Sequence, residues 1–178
     1  MKMSLYFTRH GETDYNKEYV IQGSIDASLN EKGFNQAKEL AKKIKDLNIS
    51  TIYCSPLLRA KQTAHEIEKV LNIKSIIDTR LREENYGDLE GVSRLDESYL
   101  KQRERFAFSY PNGESYLKVA ARVYSFLDSI KEEAKNKNIL VVAHGGMSRV
   151  VNSYFHDMEN DEFIKFSIHN CELVKYDF

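Results

Sequence analysis

The 178-residue sequence predicts an α/β fold with a mainly parallel central sheet covered by helices, and three observations predict it. Short apolar runs alternate with amphipathic segments at helical spacing, which is the βαβα rhythm of a parallel sheet. Asn138–Ala143 reads Asn-Ile-Leu-Val-Val-Ala, an unbroken apolar run of the kind buried on both faces. No internal repeat, low-complexity tract or Pro/Gly/Ser-rich linker interrupts the rhythm, so residues 1–178 read as a single domain.

The elements follow in order. The first apolar run, Met3–Thr8, predicts a strand over Ser4–Thr8. Leu29–Leu47 predicts an amphipathic helix, with Phe34, Ala37, Leu40, Ala41, Ile44 and Leu47 on one face and lysines opposite. Ser50–Ser55 predicts a strand and Pro56–Leu71 a second helix, with Ser55 as its N-cap and Pro56 as its first helical residue. Lys74–Asp78 predicts a strand centred on Ile76 and Ile77. In Tyr116–Ile130 the residues Leu117, Ala120, Val123, Phe126, Leu127 and Ile130 predict a buried helical stripe. A helix over Met147–Phe155 follows the strand Asn138–Ala143, and Cys171–Tyr176 alternates like an edge strand. Val92–Tyr110 mixes charges of both signs with aromatic residues; it predicts a helical excursion over one sheet edge with its charges on a solvated face.

Bulk properties exclude several classes. An apolar fraction of 42% and a charged fraction of 30% describe a globular chain rather than a disordered one. The net charge of −1 leaves no global field for nucleic acid or a membrane surface, so an anion must be held by a local cluster. The first apolar run is too short for a signal peptide, and no stretch approaches the ~18 apolar residues of a membrane span, so a cytoplasmic location is expected. Cys54 and Cys171 lack CxxC spacing and predict free thiols.

Three predicted strand ends carry cationic or titratable groups, and parallel strands would bring them to one rim. They are Arg9-His10-Gly11-Glu12-Thr13, Ser55-Pro56-Leu57-Leu58-Arg59 and His144-Gly145-Gly146. Arg59 is the oddity among them, because a cation in a helix's first turn opposes the dipole at a cost of about 0.3–1 kcal/mol. Its natural compensation is an anion, for which Arg9, Arg59, a helix N-terminus and the amides of Gly11 and Gly145 would make a phosphate pocket. His65, His156 and His169 read as ordinary surface or structural histidines, since their spacing suits no metal.

At this point the chain resembles the histidine phosphatase superfamily, also called the phosphoglycerate mutase-like family. The resemblance spans nearly the whole chain. Arg9–Thr13 is followed by Asn16, Gln22-Gly23 and Leu29-Asn30-Glu31-Lys32-Gly33. Ser55–Ala60 with Gln62-Thr63-Ala64 comes next, then Leu81-Arg82-Glu83 with Tyr86-Gly87 and Glu90-Gly91, then Pro111–Ser115, and last Val142–Gly146. The resemblance implies a three-layer α/β/α sandwich with a short helical cap over residues 92–110. It implies that His10 accepts a phosphoryl group, that Arg9, Arg59 and His144 grip it, and that Asn16, Gln22, Gly23 and Gly145 complete its pocket. Glu83 would be the general acid, with its pKa expected to be raised by burial or a neighbouring anion. Extended neighbours point opposite ways, so Glu84 is then expected to be solvated. Glu12 and Glu114 read as supporting groups or caps, with a helix-capping role favoured for Glu114. Neither a metal nor another cofactor is implied.

The implied activity is hydrolysis of small phosphomonoesters, because mutases of the family carry a longer insertion where only Val92–Tyr110 stands here. Phosphoglycerate mutase-type transfer and a non-catalytic phospho-ligand binder are the alternatives; Arg94, Lys101, Arg103 and Arg105 could hold a second acidic group. Ribazole phosphate, sugar phosphates, phosphoglycerates and phosphoamino acids all fit as substrates. Specificity is expected in Val92–Tyr110 and Tyr15–Ile25. Monomer and homodimer are both compatible with the sequence.

Overall fold

A computed structural model describes residues 4–178; Met3, the start of the first apolar run, lies outside them. Five strands form one sheet in the order β3-β2-β4-β1-β5: β1 (Leu5–Arg9), β2 (Ile49–Cys54), β3 (Ser75–Ile77), β4 (Asn138–Ala143) and β5 (Leu173–Tyr176). The first four are mutually parallel, and β5 runs antiparallel along β1. The apolar run at Asn138–Ala143 takes the centre, where residues 139–143 are buried.

Seven α-helices are described: α1 (Asp14–Lys17), α2 (Glu31–Lys43), α3 (Leu58–Leu71), α4 (Glu97–Gln102), α5 (Tyr116–Ala134), α6 (Gly145–Phe155) and α7 (Asn160–Lys165). Alternation along the strands assigns them to faces. Leu5, Phe7, Ile139 and Val141 point into a core with α5, α6 and α7, while Ile52, Cys54, Leu140 and Val142 point into one with α2 and α3. The result is the three-layer arrangement expected. Residues 92–110 contribute α4, whose buried Tyr99 packs with Ile21, Tyr86 and Tyr110 in a third cluster beside the carboxyl ends of the strands.

Several boundaries differ from expectation for local reasons. Asn30 caps α2 by accepting the Gly33 amide at 2.9 Å, so the helix starts at Glu31; past Lys43 the chain tightens into a 3₁₀ turn over Lys45–Leu47. Ser55 does not cap α3. The helix starts at Leu58 behind Leu57, and its first amide is taken by the carboxylate of Asp26 at 2.6 Å. Ser55 instead spends its hydroxyl on His144. The α5 stripe runs through Tyr116, Val119, Val123 and Phe126, which leaves Leu117 on the flank and 59% exposed. Ile76 and Ile77 are also half-exposed, because β3 is the sheet's parallel edge. The left-handed backbone of Cys171 (φ 57°) delays β5 to Leu173. Two short helices had no strong sequence signal: α1, a single turn closed by a Thr13–Asn16 capping box, and α7. Cys54 and Cys171 are free thiols. Among the described residues, no helix is long and apolar enough to cross a membrane.

Candidate active site

Register places the reactive groups. Arg9 at the end of β1 lies opposite Ala143 at the end of β4, so His10 and His144 leave the sheet side by side. The His10 amide donates to the Ala143 carbonyl at 3.0 Å, and the Ser55 amide donates to Val142 at 3.0 Å, which draws in the end of β2. The two imidazoles are 5.2 Å apart between ring centres.

His10 is 2% exposed, and its tautomer follows from its partners. Nδ1 lies 2.7 Å from the Gly11 carbonyl, which can only accept, so Nδ1 carries the proton. Nε2 therefore presents a lone pair, met at 3.2 Å by the Nε–H of Arg59. Burial, then Arg59 and Arg9, hold the imidazole's pKa well below 6.5, so the ring is neutral at physiological pH.

Arg59 is almost wholly buried in the first turn of α3, as the sequence required. Its Nη1 and Nη2 donate to the carbonyls of Ile25 and Gly23 at 2.8 and 2.7 Å, which fixes the guanidinium while Nε faces His10. Gly23 turns there with φ 51°, and a Cβ on it would meet Glu90 Oε1 at 2.2 Å. Arg9 donates from Nη1 to Ile168 at 3.0 Å, and its Nε is buried without a partner. Burial lowers both arginines to about 10, which leaves each fully cationic at neutral pH.

Glu83 faces these cations. Its Oε2 accepts the Gly146 amide at the start of α6 at 3.0 Å, and its Oε1 accepts the Glu84 amide at 3.0 Å. The segment carrying it is clamped from α5: Arg122 donates to the carbonyls of Arg80, Arg82 and Glu83 at 2.6, 2.7 and 3.2 Å. Arg122 is in turn held by both oxygens of Glu114 at 2.9 and 3.0 Å. Glu114 is therefore not a cap; Ser115 caps α5, and Glu114 anchors the clamp and the Asn85 amide. Burial pushes the Glu114 carboxyl up, but the Arg122 bonds outweigh it and hold the pKa below the usual value. Glu12 pairs with Lys32 at 2.7 Å and accepts from Asn30 at 3.1 Å, bracing the loop after His10.

A cavity of about 90 Å³ opens between these groups, lined by Arg9, His10, Arg59 and Glu83, with Asn16, Gln22, Gly23 and Gly145 completing its wall. It therefore gathers eight of the nine residues singled out in the sequence. The ninth, His144, is fully buried beside His10 and is not on that wall; its Nε2 meets Ser55 Oγ at 2.6 Å, and its Nδ1 has no partner. Gln22 Nε2 is a further buried donor without a partner. Unpaired donors on Arg9 and Gln22 on one cavity wall call for an acceptor, and a tetrahedral oxyanion supplies several.

Tyr86, Tyr99, Arg149 and Ser167 also line the cavity and were not among the predicted site residues; Arg94, one of the four basic residues named as able to hold a second acidic group, lines it as well. An Arg set against Val150-Val151 just after His144-Gly145-Gly146 was the available signal for Arg149; Ser167 had none. Two charges of residues 92–110 are not solvated as expected. Arg94 faces the cavity, while Arg103 lies 5.6 Å above the Tyr99 ring and bonds the Ile164 carbonyl. Glu84, expected in solvent, is 1% exposed. The reason is that residues 85–114 close over it rather than leaving the segment open. Among the described residues, no group of three or more His, Cys, Asp or Glu side chains is placed to hold a metal.

Two histidines and two arginines stand at the carboxyl rim of this α/β sheet, and the comparison with known families says which class of protein carries it. Residues 5–178 match the model of the histidine phosphatase superfamily (branch 1), and the chain belongs to that family. It is 33% identical over 168 residues to a probable phosphatase of Schizosaccharomyces pombe, covering 92% of this chain and 78% of that one. It is 31% identical over 182 residues to a probable phosphoglycerate mutase GpmB of Erwinia tasmaniensis, covering 98% and 85%. Among solved structures, a mycobacterial glucosyl-3-phosphoglycerate phosphatase in complex with VO3 superposes with a TM-score of 0.87 at 26% identity, covering 97% of this chain and 90% of that one.

Proposed function

We propose that this protein is a phosphatase that hydrolyses small phosphomonoesters through a phosphohistidine on His10, with Glu83 as general acid. The observation that carries this reading is the His10 Nε2 lone pair, held by the Gly11 carbonyl's claim on Nδ1 and lying in a cavity between two arginines and a carboxyl group. Nε2 attacks phosphorus, the P–N bond forms as the P–O bond to the leaving group breaks, and the Glu83 carboxyl gives its proton to the departing oxygen. Arg9 and Arg59 stabilise charge on the equatorial oxygens. The Arg59 Nε–H now spent on Nε2 passes to a phosphoryl oxygen as the lone pair is used. In the second half, Glu83 as carboxylate takes a proton from water, the water oxygen bonds phosphorus, and breakage of the P–N bond releases phosphate and free His10.

Phosphoglycerate mutase-type transfer is the second reading. It is favoured by Arg94 on the cavity wall and by the likeness to a phosphoglycerate mutase. The short α4 segment, which leaves the wider cleft beside Arg9, Asp14 and Lys17 in contact with solvent, supports water as the final acceptor instead.

The test is turnover of a phosphometabolite panel alongside an aryl phosphate. Phosphate release that is abolished in His10→Ala supports the reading. Glu83→Gln should slow alkyl phosphates by about 10²–10⁴-fold and aryl phosphates much less, since only the former need the proton. Equal losses on both would remove Glu83 from the acid role. Bisphosphate-dependent isomerisation of phosphoglycerate without net phosphate release would favour the mutase.

A further inference from the structure

Glu83 and Glu84 are consecutive and both buried, yet only Glu83 lines the cavity. The Glu84 side chain turns the other way, under the cap, and its Oε1 is buried with no hydrogen-bond partner. Its amide is nonetheless one of the two that hold the Glu83 carboxyl, so the two side chains share a backbone joint.

The groups around Glu84 decide its charge. From its own segment come Glu83 and the Tyr86 hydroxyl; from the segment before α5 come Glu114 and Tyr110; α5 adds Tyr116 and α6 adds Arg149. Tyr99 of α4 packs on Tyr86 and Tyr110 and closes the compartment, with Arg103 above its ring. Arg149 is a buried cation that acts on Glu84, but its Nη1 is committed to the Tyr116 hydroxyl at 3.2 Å and the Ile164 carbonyl at 3.0 Å. Its pull on Glu84 is therefore coulombic only and sits against two carboxylates, Glu83 and Glu114.

We propose that Glu84 is a positioning residue for Glu83: a buried carboxyl that stays neutral under the cap, so that only Glu83 changes charge during the reaction, and whose ionisation turns the site off. This rests on Glu83 as the general acid. Once Glu83 has given up its proton, a second carboxylate one residue away in a dry compartment would raise the energy of that state. It would also weaken the hold on a phosphate dianion. A neutral Glu84 removes both penalties while its amide still fixes Glu83. Burial first, and the Glu83 charge second, push the Glu84 carboxyl up to about 8, which places the switch just above neutrality.

The experiment compares kcat/KM from pH 6 to 10 for wild type and Glu84→Gln on an alkyl phosphomonoester, since the substitution keeps the amide and fixes the side chain neutral. With each profile scaled to its own value at pH 7, wild type should fall above pH 8 at about tenfold per pH unit, and Glu84→Gln should hold its activity at least about one unit further. An unshifted alkaline limb, or an equal loss at every pH, would overturn the proposal. Glutamate 13Cδ NMR on the unmodified protein supplies a second reading that does not depend on the variant folding. One carboxyl should titrate near pH 8, and that titration should move lower in Glu83→Gln. Titration of every glutamate in the ordinary acidic range would equally overturn it. Absence of wild-type turnover at all pH counts against the phosphatase reading alone, and the 13C titration then decides the state of Glu84.

Discussion

His10 is kept neutral by its burial first, and then by the same arginines that would bind its substrate. A protonated imidazole between Arg59 and Arg9 would place three cations together in a buried space, so the proton is excluded and the nucleophilic lone pair remains available. The depressed pKa has a stability consequence whose sign is fixed. Below 6.5 the unfolded chain takes up a proton at residue 10 that the folded chain refuses, so stability present above that pH is lost as pH falls. His10→Asn removes this proton. Between pH 8 and 5, its unfolding free energy in urea titrations should fall less than that of wild type, by up to about 1.4 kcal/mol per pH unit below the free histidine pKa. An identical pH dependence would show that His10 is protonated in the fold. Arg59 was readable in the sequence because it breaks a local rule, sitting as a cation at a helix's positive end. Glu84 was not, because its burial comes from the later segment through Glu114 closing over it, and alternation along an extended strand says nothing of what covers the other side.

Secondary elements turn these residues into a site by close backbone approach. Gly33, in the first turn of α2, carries Glu12 against it so tightly that a Cβ would stand 2.1 Å from the Glu12 carbonyl oxygen; a Cβ on Gly11 would stand 2.4 Å from the Gly33 oxygen. The helix is thus a backstop for the loop that carries His10. Because the obstructing atoms are backbone, Gly33→Ala must move the loop rather than a side chain. We expect it to lower kcat/KM by about 10²-fold, as a displacement near 1 Å does, with α2 still folded by circular dichroism. Unchanged kinetics would mean that the loop does not depend on this contact. The run Leu29–Gly33 is visible in sequence, but its reason is not, since the contact joins positions about twenty residues apart. Element boundaries were hidden for similar causes: Asp26, far from α3 in sequence, takes that helix's first amide and displaces Ser55 from the capping role.

The whole molecule is a device for bringing three parallel strand ends and one clamped segment to one rim. A mainly parallel sheet was readable from the βαβα rhythm and the run at Asn138–Ala143, and with it the convergence of the strand ends that carry His10, His144 and Arg59; the strand order was not. Long-range side-chain anchoring was not readable. Arg122 on α5 reaches the carbonyls of residues 80, 82 and 83 and sets where Glu83 stands, through contacts about forty residues apart in sequence. The cavity is small, lined by five charged side chains, Arg9, Arg59, Glu83, Arg94 and Arg149, and the space beyond it is open, an arrangement that suits a phosphoryl group with varied leaving groups. The proposed chemistry turns on one bond, from phosphorus to the His10 Nε2. Rapid acid-free quenching of the enzyme with a phosphomonoester labelled at phosphorus, followed by 31P NMR and mass mapping, reads that bond directly. A base-stable, acid-labile phosphate on the peptide containing His10, absent in His10→Ala, is the expected result. Turnover with no labelled histidine at any quench time, or label retained in His10→Ala, would contradict the account.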